Sequence, residues 1–478
     1  MSRSSVYFAL GLCLLLAGGA LAGTKEEWKK RTVYQVLTDR FWRSSGDTKT
    51  PCLWKEYCGG DHLGIMQKLD YIKDLGFDAI WISPIVDNVE AGYHGYWARN
   101  WEKVNHHFGS EDDLKQMIDA AHAKGIWVML DIVANHAGCY GHDYSSFHPF
   151  NKEEYFHEDC DIKDFDNQTQ VEQCRLLLLP DLDQDHPFVR EYLKDWIKYI
   201  VKNFNFDGIR LDTAPHIEKG FWKEYLQSAG VFNIGEALKE STQFVASYQD
   251  TMDSLLNYPM YFAIKKVFDE KQSMKLLHEK WVEEEQYFKD VDALGLFVDN
   301  HDNPRFRYTQ PDVRLFKSAL AFSLTGRGIP FYYYGSEIAL NGGYDPENRE
   351  GLFDKFDQTH EVYKFTKAIN QARVSSNAVG TKFTEKLFTD DLYAYTKGDL
   401  LVVLTNKVDK TVTGDVPDLE FADGDKLCNI FDSKDCLTVT GRKVSVSISN
   451  GDTKIYTKST NSFFKSQNPD ILEILRSQ

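Results

Sequence analysis

Residues 208–212 read Gly-Ile-Arg-Leu-Asp, a short apolar run that ends in a carboxylate. Residues 232–236 (Phe-Asn-Ile-Gly-Glu) and 294–302 (Leu-Gly-Leu-Phe-Val-Asp-Asn-His-Asp) repeat this form. Short runs of this kind between helical patterns are typical of buried parallel strands. Acids at the ends of successive parallel strands meet on one face of a barrel, where active sites lie. The three acids therefore predict a common cleft and indicate glycosyl transfer chemistry, which needs an acid and a nucleophile.

The same alternation of strand-like and helix-like segments extends from Thr32 to about Ser376. Eight strands can be counted in this stretch, and Gly76 and Gly125 end two of the helical segments. This rhythm predicts βα units around a parallel sheet. The expected fold class is α/β, a (β/α)8 barrel of the TIM type.

Two stretches depart from that alternation. Residues 135–185 are polar and irregular, and we expect them to form an excursion at the active-site face of the barrel. After about Asn377, β runs separated by Asp/Gly turns predict a small antiparallel domain. The expected division is a leader (1–22), a barrel (23–134 and 186–376), an excursion domain (135–185), a C-terminal β domain (377–460) and a tail (461–478).

The overall composition limits the kind of partner. The chain has 478 residues, of which 42% are hydrophobic, so a sizeable core is expected and global disorder is disfavoured. The formal net charge is −17, which repels phosphate backbones. Solubility is the simplest explanation of that charge. We expect no nucleic-acid partner and a monomer.

The first 22 residues have the features of a secretory signal peptide. Arg3 supplies a positive start, residues 9–16 are apolar, and residues 20–22 (Ala-Leu-Ala) form a cleavage site. The apolar run is shorter than the roughly 20 residues that span a membrane, which disfavours an anchor. We therefore expect a secreted, extracellular chain that begins at Gly23 and has no membrane contact.

Seven cysteines remain once that leader is removed, and secretion makes disulfides expected. Spacing alone fixes no connectivity, but pairing between neighbours is the most economical, namely Cys52–Cys58, Cys160–Cys174 and Cys428–Cys436. Cys139 is then left over, as a free thiol or an intermolecular one, and a buried inert thiol is favoured. A glycosylation sequon begins at Asn167.

Five sequence blocks follow one another along the chain: residues 131–136 (Asp-Ile-Val-Ala-Asn-His), 179–183 (Leu-Pro-Asp-Leu-Asp), 207–212 (Asp-Gly-Ile-Arg-Leu-Asp), 235–236 (Gly-Glu) and 297–302 (Phe-Val-Asp-Asn-His-Asp). In these blocks, their order and their spacing, the chain resembles the fungal-type secreted members of the α-amylase family of retaining glycoside hydrolases. The resemblance covers nearly the whole mature chain. It implies an endo-acting hydrolase of α-1,4-glucosidic bonds in starch- and glycogen-type glucans, with a retaining double displacement.

The resemblance assigns separate roles to the three acids. Asp212 would be the nucleophile, Glu236 the general acid/base, and Asp302 the carboxylate that holds substrate hydroxyls and favours ring distortion. A nucleophile must stay ionised, whereas the acid must keep its proton until it donates to the leaving oxygen. Arg210 lies on the same strand face as Asp212 and would keep that nucleophile ionised.

Further side chains would contact the sugar by resemblance: His94, Tyr96 and Trp97 after the second strand, Arg210, His136 and His301 beside the acids, and Asp345 and Arg349 after the last strand. A lone histidine is usually structural, so these assignments depend on the surrounding motifs. For Asp345 and Arg349, a surface ion pair is the alternative.

A calcium ion is also implied by the resemblance. The ligands would be the side chains of Asn135, Glu172 and Asp181 and the backbone carbonyl of His216. These are all oxygen donors, which hard cations prefer. The metal would hold the excursion against the barrel and shape the cleft wall, without taking part in the chemistry.

One departure from the fungal pattern concerns the residues after the nucleophile. Pro215 precedes His216 where fungal-type enzymes usually carry lysine, which leaves the sugar contact beyond the cleavage point and the product pattern open. Two alternatives also remain: an α-glucosidase or transglycosylase on the same scaffold, and a non-catalytic carbohydrate-binding relative. The block at residues 179–183 favours an amylase, and the presence of all three acids favours an enzyme.

Overall fold

The structure, a computed structural model, describes residues 23–138 and 141–467 of the chain. The predicted leader (residues 1–22), Cys139 and the end of the predicted tail (residues 468–478) lie outside the described residues. In the part of the chain that is described, no helix is long and apolar enough to cross a bilayer.

Strands and helices alternate over most of the chain, and strands alone dominate its last part. Within the described residues the strands are β1 (Val33–Gln35), β2 (Ala79–Ile82), β3 (Val86–Asn88), β4 (Ala98–Val104), β5 (Trp127–Ile132), β6 (Gly208–Leu211), β7 (Phe232–Gly235), β8 (Ser254–Leu255), β9 (Gly295–Leu296), β10 (Ile329–Tyr333), β11 (Phe383–Phe388), β12 (Tyr393–Lys397), β13 (Leu400–Leu404), β14 (Val412–Val416), β15 (Lys426–Asn429), β16 (Asp432–Thr438), β17 (Val444–Ile448) and β18 (Lys454–Lys458). The α-helices are α1 (Lys25–Trp28), α2 (Thr38–Phe41), α3 (His62–Leu75), α4 (Glu111–Ala123), α5 (Gln168–Gln173), α6 (Pro187–Phe204), α7 (Lys219–Ala229), α8 (Thr242–Ala246), α9 (Tyr258–Ile264), α10 (Lys275–Tyr287), α11 (Phe306–Thr309), α12 (Val313–Thr325), α13 (Glu361–Ser375) and α14 (Ser462–Gln467).

Eight strands form a parallel barrel. They lie in the order β8-β7-β6-β5-β2-β1-β10-β9, and a parallel bridge between Leu256 and Gly295 joins β8 to β9, so that the sheet closes on itself. Val33 of β1 pairs with Ala79 of β2 on one side and with Phe331 of β10 on the other. The predicted barrel is confirmed, and each of its strands lies within a few residues of the expected position.

Two of the barrel helices have capping residues at their starts, and α3 ends at Gly76 as predicted. Asp61 caps α3 by accepting a hydrogen bond from the backbone N–H of residue 64, and Gly76 ends that helix in the left-handed conformation (φ 96°). Ser110 and Asp113 form the reciprocal capping box of α4. Both helices bury an apolar face against the strands, as the alternating strands and helices of a barrel require.

Helix α1 closes the end of the barrel where the strands begin. Trp28 is fully buried, stacks on Phe232 with ring centroids 5.1 Å apart, and meets Trp127 edge-on at 5.2 Å. Its indole N–H donates to the carbonyl of Asp207 at 3.1 Å. A Cβ on Gly208 would lie 2.8 Å from the Trp28 ring, so only glycine leaves room for this plug. The acids at the strand ends therefore lie at the opposite, open end.

The chain leaves the barrel between β5 and α6, as predicted for the irregular stretch. The short helix α5 lies in this excursion, which is joined to the β3–β4 hairpin by a parallel bridge between Asn100 and His148. The Cys160–Cys174 disulfide closes a loop within the excursion that contains α5. The excursion thus forms one wall of the open end of the barrel.

The last part of the chain forms antiparallel sheets. One sheet has the order β11-β12-β13-β18-β15-β16, and β14 pairs with β17. Buried polar contacts join it to the barrel: Lys397 Nζ donates to the Gly326 carbonyl at 2.6 Å, and Asn406 Nδ2 donates to the Val267 carbonyl at 2.7 Å. The expected C-terminal antiparallel β structure is therefore present.

Three disulfides are formed in the described residues, and they confirm the economical pairing. They join Cys52 to Cys58, Cys160 to Cys174, and Cys428 to Cys436. Each one closes a short loop within a single part of the fold.

Candidate active site

The three predicted acids line one cavity at the open end of the barrel. Asp212 directly follows β6, Glu236 directly follows β7, and Asp302 follows β9 after a short extended segment. The cavity has a volume of about 420 Å³. Its walls are formed by His94, Tyr96, Trp97, His136, Leu176, Leu177, Leu179, Asp212, Thr213, Glu236, Leu238, Asp302, Asp345 and Arg349.

Arg210 lies beneath the acids and bridges them. Its side chain is fully buried, and Nη1 lies 2.7 Å from Asp212 Oδ1 and 3.0 Å from Asp131 Oδ1. Nη2 lies 2.9 Å from Glu236 Oε2. One guanidinium therefore contacts a carboxylate from each of three consecutive barrel strands. Arg210 reaches the acids from below and does not line the cavity.

Burial raises the pKa of the acids, and the nearby arginines oppose this. Burial raises the pKa of Glu236 to about 7, against the lowering effect of Arg210. Burial also raises the pKa of Asp212, and here too Arg210 opposes it. The pKa of Asp302 is likewise raised by burial, with Arg349 acting in the opposite direction. The cluster can thus hold a proton near neutral pH beside carboxylates that stay ionised.

The proton of this cluster fits best on Oε1 of Glu236. Oε2 accepts from the backbone N–H of Thr213 at 3.1 Å and forms an ion pair with Arg210, whose Nη2 lies 2.9 Å away. Oε1 accepts a long hydrogen bond from the hydroxyl of Tyr258 at 3.3 Å, and Asn300 Nδ2 donates to that hydroxyl at 2.8 Å. Thr213 adopts a left-handed conformation (φ 45°), a backbone strain of the kind found at functional sites.

A chain of hydrogen bonds fixes the floor of the cavity. Gln35 Nε2 lies 2.6 Å from His301 Nδ1, and His301 Nε2 lies 2.6 Å from Tyr96 Oη. Tyr96 then donates to Asp131 Oδ2 at 2.6 Å, and Trp81 Nε1 donates to the same oxygen at 3.0 Å. This order of contacts places the His301 proton on Nε2. Burial lowers the pKa of His301, so the ring is neutral.

Asp345 and Arg349 lie at the edge of the cavity. Arg349 Nη1 is 2.9 Å from Asp345 Oδ1, and Nη2 is 3.5 Å from Asp302 Oδ1. Its Nε donates to the carbonyl of His301 at 3.0 Å. Because Arg349 is only 7% exposed, the pair is part of the cavity wall and orients Asp302.

The β3–β4 hairpin and the segment that directly follows β5 bring the other predicted contacts into the cavity. His94 packs edge-on against Trp97 with ring centroids 4.8 Å apart. His136 Nε2 lies 3.1 Å from the carbonyl of Tyr96. Burial lowers the pKa of His94, and that of His136 to about 4. Both rings are therefore neutral hydrogen-bonding groups at neutral pH.

The predicted calcium ligands come from the excursion and the barrel. Asn135 and Asp181 are neighbours, because residues 136 and 181 form an antiparallel bridge. Asn135 Oδ1 and Asp181 Oδ1 are buried and accept no hydrogen bond within the described residues. Buried acceptors without donors are costly unless a cation binds them.

The other half of the calcium set lies around helix α5. Gln168 Nε2 donates to Glu172 Oε1 at 2.7 Å and to the carbonyl of Pro215 at 2.8 Å, next to His216. The described residues contain no group of three or more His, Cys, Asp or Glu arranged for a metal. The predicted set falls outside that description, because it has only two carboxylates and its other donors are an amide and a backbone carbonyl. All of these donors are oxygens, which suit a hard cation.

Sequence reasoning missed several residues of the site. Gln35, Trp81, Thr213 and Tyr258 were not singled out, and Asn300 was quoted only as part of a block. Gln35 could have been found as a polar residue at the end of a buried strand. The sequence around Tyr258 signals only the start of a helix. Its contact with Glu236 could not be predicted, because that contact forms only when the barrel closes.

Comparisons with known proteins agree on one family. The sequence model described as "Alpha amylase, catalytic domain" matches residues 35–379. The alpha-amylase of Saccharomycopsis fibuligera is 35% identical over 456 residues, which cover 90% of this chain and 92% of that protein. The solved structure of an alpha-amylase from Malbranchea cinnamomea has a TM-score of 0.88 at 35% identity, and the match covers 91% of this chain and 98% of that one. The cyclomaltodextrin glucanotransferase CldA has a TM-score of 0.81 at 28% identity, covering 90% and 99% of the two chains.

Proposed function

The chain belongs to the alpha-amylase catalytic-domain family, and on that premise we propose that it hydrolyses α-1,4-glucosidic bonds within starch- and glycogen-type glucans. One observation carries this proposal: Asp212, Glu236 and Asp302 line a single cavity at the strand ends of the barrel. Acids in one cleft, with a proton on one of them, are what glycoside hydrolysis requires.

In the first step, Glu236 protonates the leaving glycosidic oxygen while Asp212 attacks the anomeric carbon. The pKa of Glu236, raised to about 7, lets it keep a proton at neutral pH. Arg210 at 2.7 Å stabilises the ionised form of Asp212. The products are a glycosyl ester on Asp212 and a released sugar chain.

In the second step, Glu236 takes a proton from water, and the water oxygen replaces Asp212 at the anomeric carbon. Two inversions at this carbon retain its configuration. Asp302, oriented by Arg349, holds hydroxyls of the reacting sugar. His94, His136 and Tyr96 line the same cavity and contact the ring.

A variant of the nucleophile tests the proposal. Asp212→Asn should reduce the rate of starch hydrolysis by at least about a thousandfold, because the covalent intermediate cannot form. Asp207→Asn is the matched control, since Asp207 lies at the other end of the same strand and accepts from the Val128 N–H. An unchanged rate in Asp212→Asn would reject the assignment of the nucleophile, and only a wild-type protein that hydrolyses no starch would favour a non-catalytic carbohydrate-binding protein.

Product analysis separates the endo-acting hydrolase from an α-glucosidase or a transglycosylase on the same scaffold. Maltooligosaccharides blocked at the non-reducing end should be cleaved internally. Exclusive release of single glucose units, or no cleavage of the blocked chains, would exclude the endo-acting mode. Cyclic or lengthened products from starch would instead indicate a transferase.

A calcium ion fits the oxygen set of Asn135, Glu172, Asp181 and the His216 carbonyl. Asn135 Oδ1 and Asp181 Oδ1, buried without donors in the described residues, support this proposal. When bound, the ion would neutralise the two carboxylates and hold the excursion against the barrel. These residues therefore shape the cleft wall and move no proton in the reaction.

Thermal unfolding tests the calcium proposal. At a hundredfold excess over its dissociation constant, a bound ion stabilises the fold by about 2.7 kcal/mol, so a chelator should lower the unfolding temperature and added Ca²⁺ should restore it. Asn135→Ala should abolish this Ca²⁺-dependent shift. Asn370→Ala, which removes a buried donor to the Leu75 carbonyl, should lower stability but keep the shift. A shift that persists in Asn135→Ala would contradict the ligand set.

We further propose that the chain acts outside the cell as a monomer. The disulfides in the described residues fit an oxidising environment. Sequencing of the N-terminus of secreted material should begin at Gly23, and sedimentation should give the mass of one chain. Retention in the cytosol would contradict the first point.

A further inference from the structure

A second cavity, which we call the outer cavity, lies in the helical layer of the barrel. It is enclosed by residues 85–86 and 101–104 at the base of the β3–β4 hairpin, residues 192–204 of α6 and Glu111 at the start of α4. Its volume is about 400 Å³, and nine of its thirteen lining residues are apolar or aromatic. Among the described residues, none lines both this cavity and the one that holds the acids. Its size and its lining are those of a small-molecule site.

Aromatic side chains dominate the lining of the outer cavity. They are Trp101, Tyr192, Trp196, Tyr199 and Phe204. The wall is fixed where β4 meets α6, because Trp196 Nε1 donates to the carbonyl of Trp101 at 2.8 Å. Tyr199 is 56% exposed, so its ring is accessible to a ligand. The faces of such rings attract cations, and Lys115 Nζ already lies 5.5 Å from the ring centroid of Phe204.

The charged residues of the outer cavity are mostly acidic. Glu102, Glu111 and Asp195 line it, together with a single cation, Lys103. Glu102 lies 2.9 Å from His148 Nε2. Glu111 and Asp195 form no ion pair within the part of the chain that the structure describes. Two carboxylates at this cavity are therefore free to balance the charge of a ligand.

Charge and lining together select the class of ligand. Burial raises the pKa of Tyr192, and the charge of Glu102 raises it further, so the negative potential reaches the aromatic lining. Anions are repelled by these acids and by the net charge of −17. A glucan needs hydrogen-bonding partners for many hydroxyl groups, which a mostly apolar lining does not provide. A cation that carries apolar groups matches both the rings and the acids.

We propose that the outer cavity binds small organic cations whose charged nitrogen carries alkyl or aromatic groups. The aromatic rings contact these groups and the charge, while Glu111 and Asp195 balance the charge from the edge of the cavity. The outer cavity is separate from the cavity of the acids. The inference therefore does not depend on the proposed hydrolysis of glucans.

Two probes of equal shape test the proposal. Choline carries a trimethylammonium group, and 3,3-dimethylbutan-1-ol has the same shape without the charge. Binding of each probe to the full chain is measured by saturation-transfer NMR titration at low salt. We expect choline to bind at least about fivefold more tightly, because the rings and the acids attract only the charged probe, and about 0.5 M salt should weaken its binding. Equal binding of both probes, or tighter binding of the neutral one, would overturn the proposal.

Matched variants locate the binding site. Tyr199→Ala removes an aromatic ring, and Asp195→Asn removes a charge at nearly constant shape, so each should weaken choline binding about two- to fivefold. Tyr287→Ala on α10 and Asp119→Asn on α4 make the same changes at exposed residues that do not line the outer cavity. Choline binding should be unchanged in these two controls. Starch hydrolysis should be unchanged in all four variants, since none of these residues lines the cavity of the acids.

Other outcomes contradict the proposal in a definite way. Choline binding that Tyr199→Ala and Asp195→Asn leave unchanged, or that the controls weaken equally, would place the bound cation elsewhere on the chain. If Tyr199→Ala does not fold, Tyr199→Leu removes the ring and keeps most of the apolar bulk. No binding of choline up to about 10 mM, which covers millimolar affinities, would overturn the inference alone. A wild-type protein that binds choline but hydrolyses no starch would overturn only the proposed function.

Discussion

Replacement of Arg210 by methionine should move the whole pH profile of starch hydrolysis to higher pH. Arg210 contacts Asp212 at 2.7 Å and Glu236 at 2.9 Å, and it lowers the pKa of both. Without its charge, the pKa of both carboxyl groups rises. Asp212 must be ionised and Glu236 protonated, so the acidic and the basic limbs of kcat/KM both shift upward.

The size of this shift follows from the charge separation. Two unit charges about 4 Å apart interact by about 4 kcal/mol at an effective dielectric constant of about 20, which corresponds to about 3 pKa units. Asp212 lines an open cavity, so water that enters the cavity screens part of this interaction. We therefore expect the acidic limb to rise by about 1–2 units. The rate at the optimum should also fall, since the carboxylates lose their shared donor.

Two further variants separate charge from geometry. Arg210→Lys keeps the charge but cannot bridge the acids with two nitrogens, so its pH limbs should shift by less than about 0.5 unit although its rate falls. Arg43→Met removes another buried arginine, which donates to the carbonyls of Asp47, Cys58 and Thr50. The Arg43→Met variant should have a lower free energy of unfolding, and both limbs of its pH profile should stay unchanged. If the limbs of the pH profile of folded Arg210→Met stay at the wild-type pH or move to lower pH, the electrostatic argument is refuted.

Further predictions concern the proton, its neighbours and the C-terminal sheets. Wild-type kcat/KM should fall as pH rises through about 7, because Glu236 then loses its proton, and a basic limb two units away would contradict this. Tyr258→Phe should lower kcat about three- to tenfold with little change in KM, since Asn300 Nδ2 loses its acceptor and Glu236 loses a neighbour. Replacement of both Cys428 and Cys436 by serine should destabilise the fold by about 2–3 kcal/mol in thermal unfolding and leave kcat unchanged.

The barrel and its helix ends could be predicted from the sequence because their signals are local. The alternation of apolar runs gives the strands, and the helix ends marked by Gly76 and Gly125 need only neighbouring residues. The β3–β4 hairpin was not predicted, because its short, mostly polar strands lack an apolar alternation. The hairpin is defined by the pairing of its two strands in the folded chain, and not by a periodic pattern in the sequence.

The candidate acids could be predicted because each one follows a strand within a recognisable block. Apart from Arg210, the contacts that tune their pKa values could not be predicted. Thr213 reaches Glu236 through a left-handed backbone, and Tyr258 reaches it across the closed barrel. The roles of Asp212, Glu236 and the calcium ligands remain predictions that the variants above test.

Closure of the barrel has a consequence for how the chain reaches its native state. β1 pairs with β10, so the first strand to leave the ribosome waits for the last barrel strand before both of its edges are covered. Such distant pairing slows folding and leaves apolar strand edges open meanwhile. Refolding from denaturant should therefore be slow and yield less at high protein concentration. The growing chain therefore keeps one edge of β1 uncovered until the segment around Tyr333 has been synthesised.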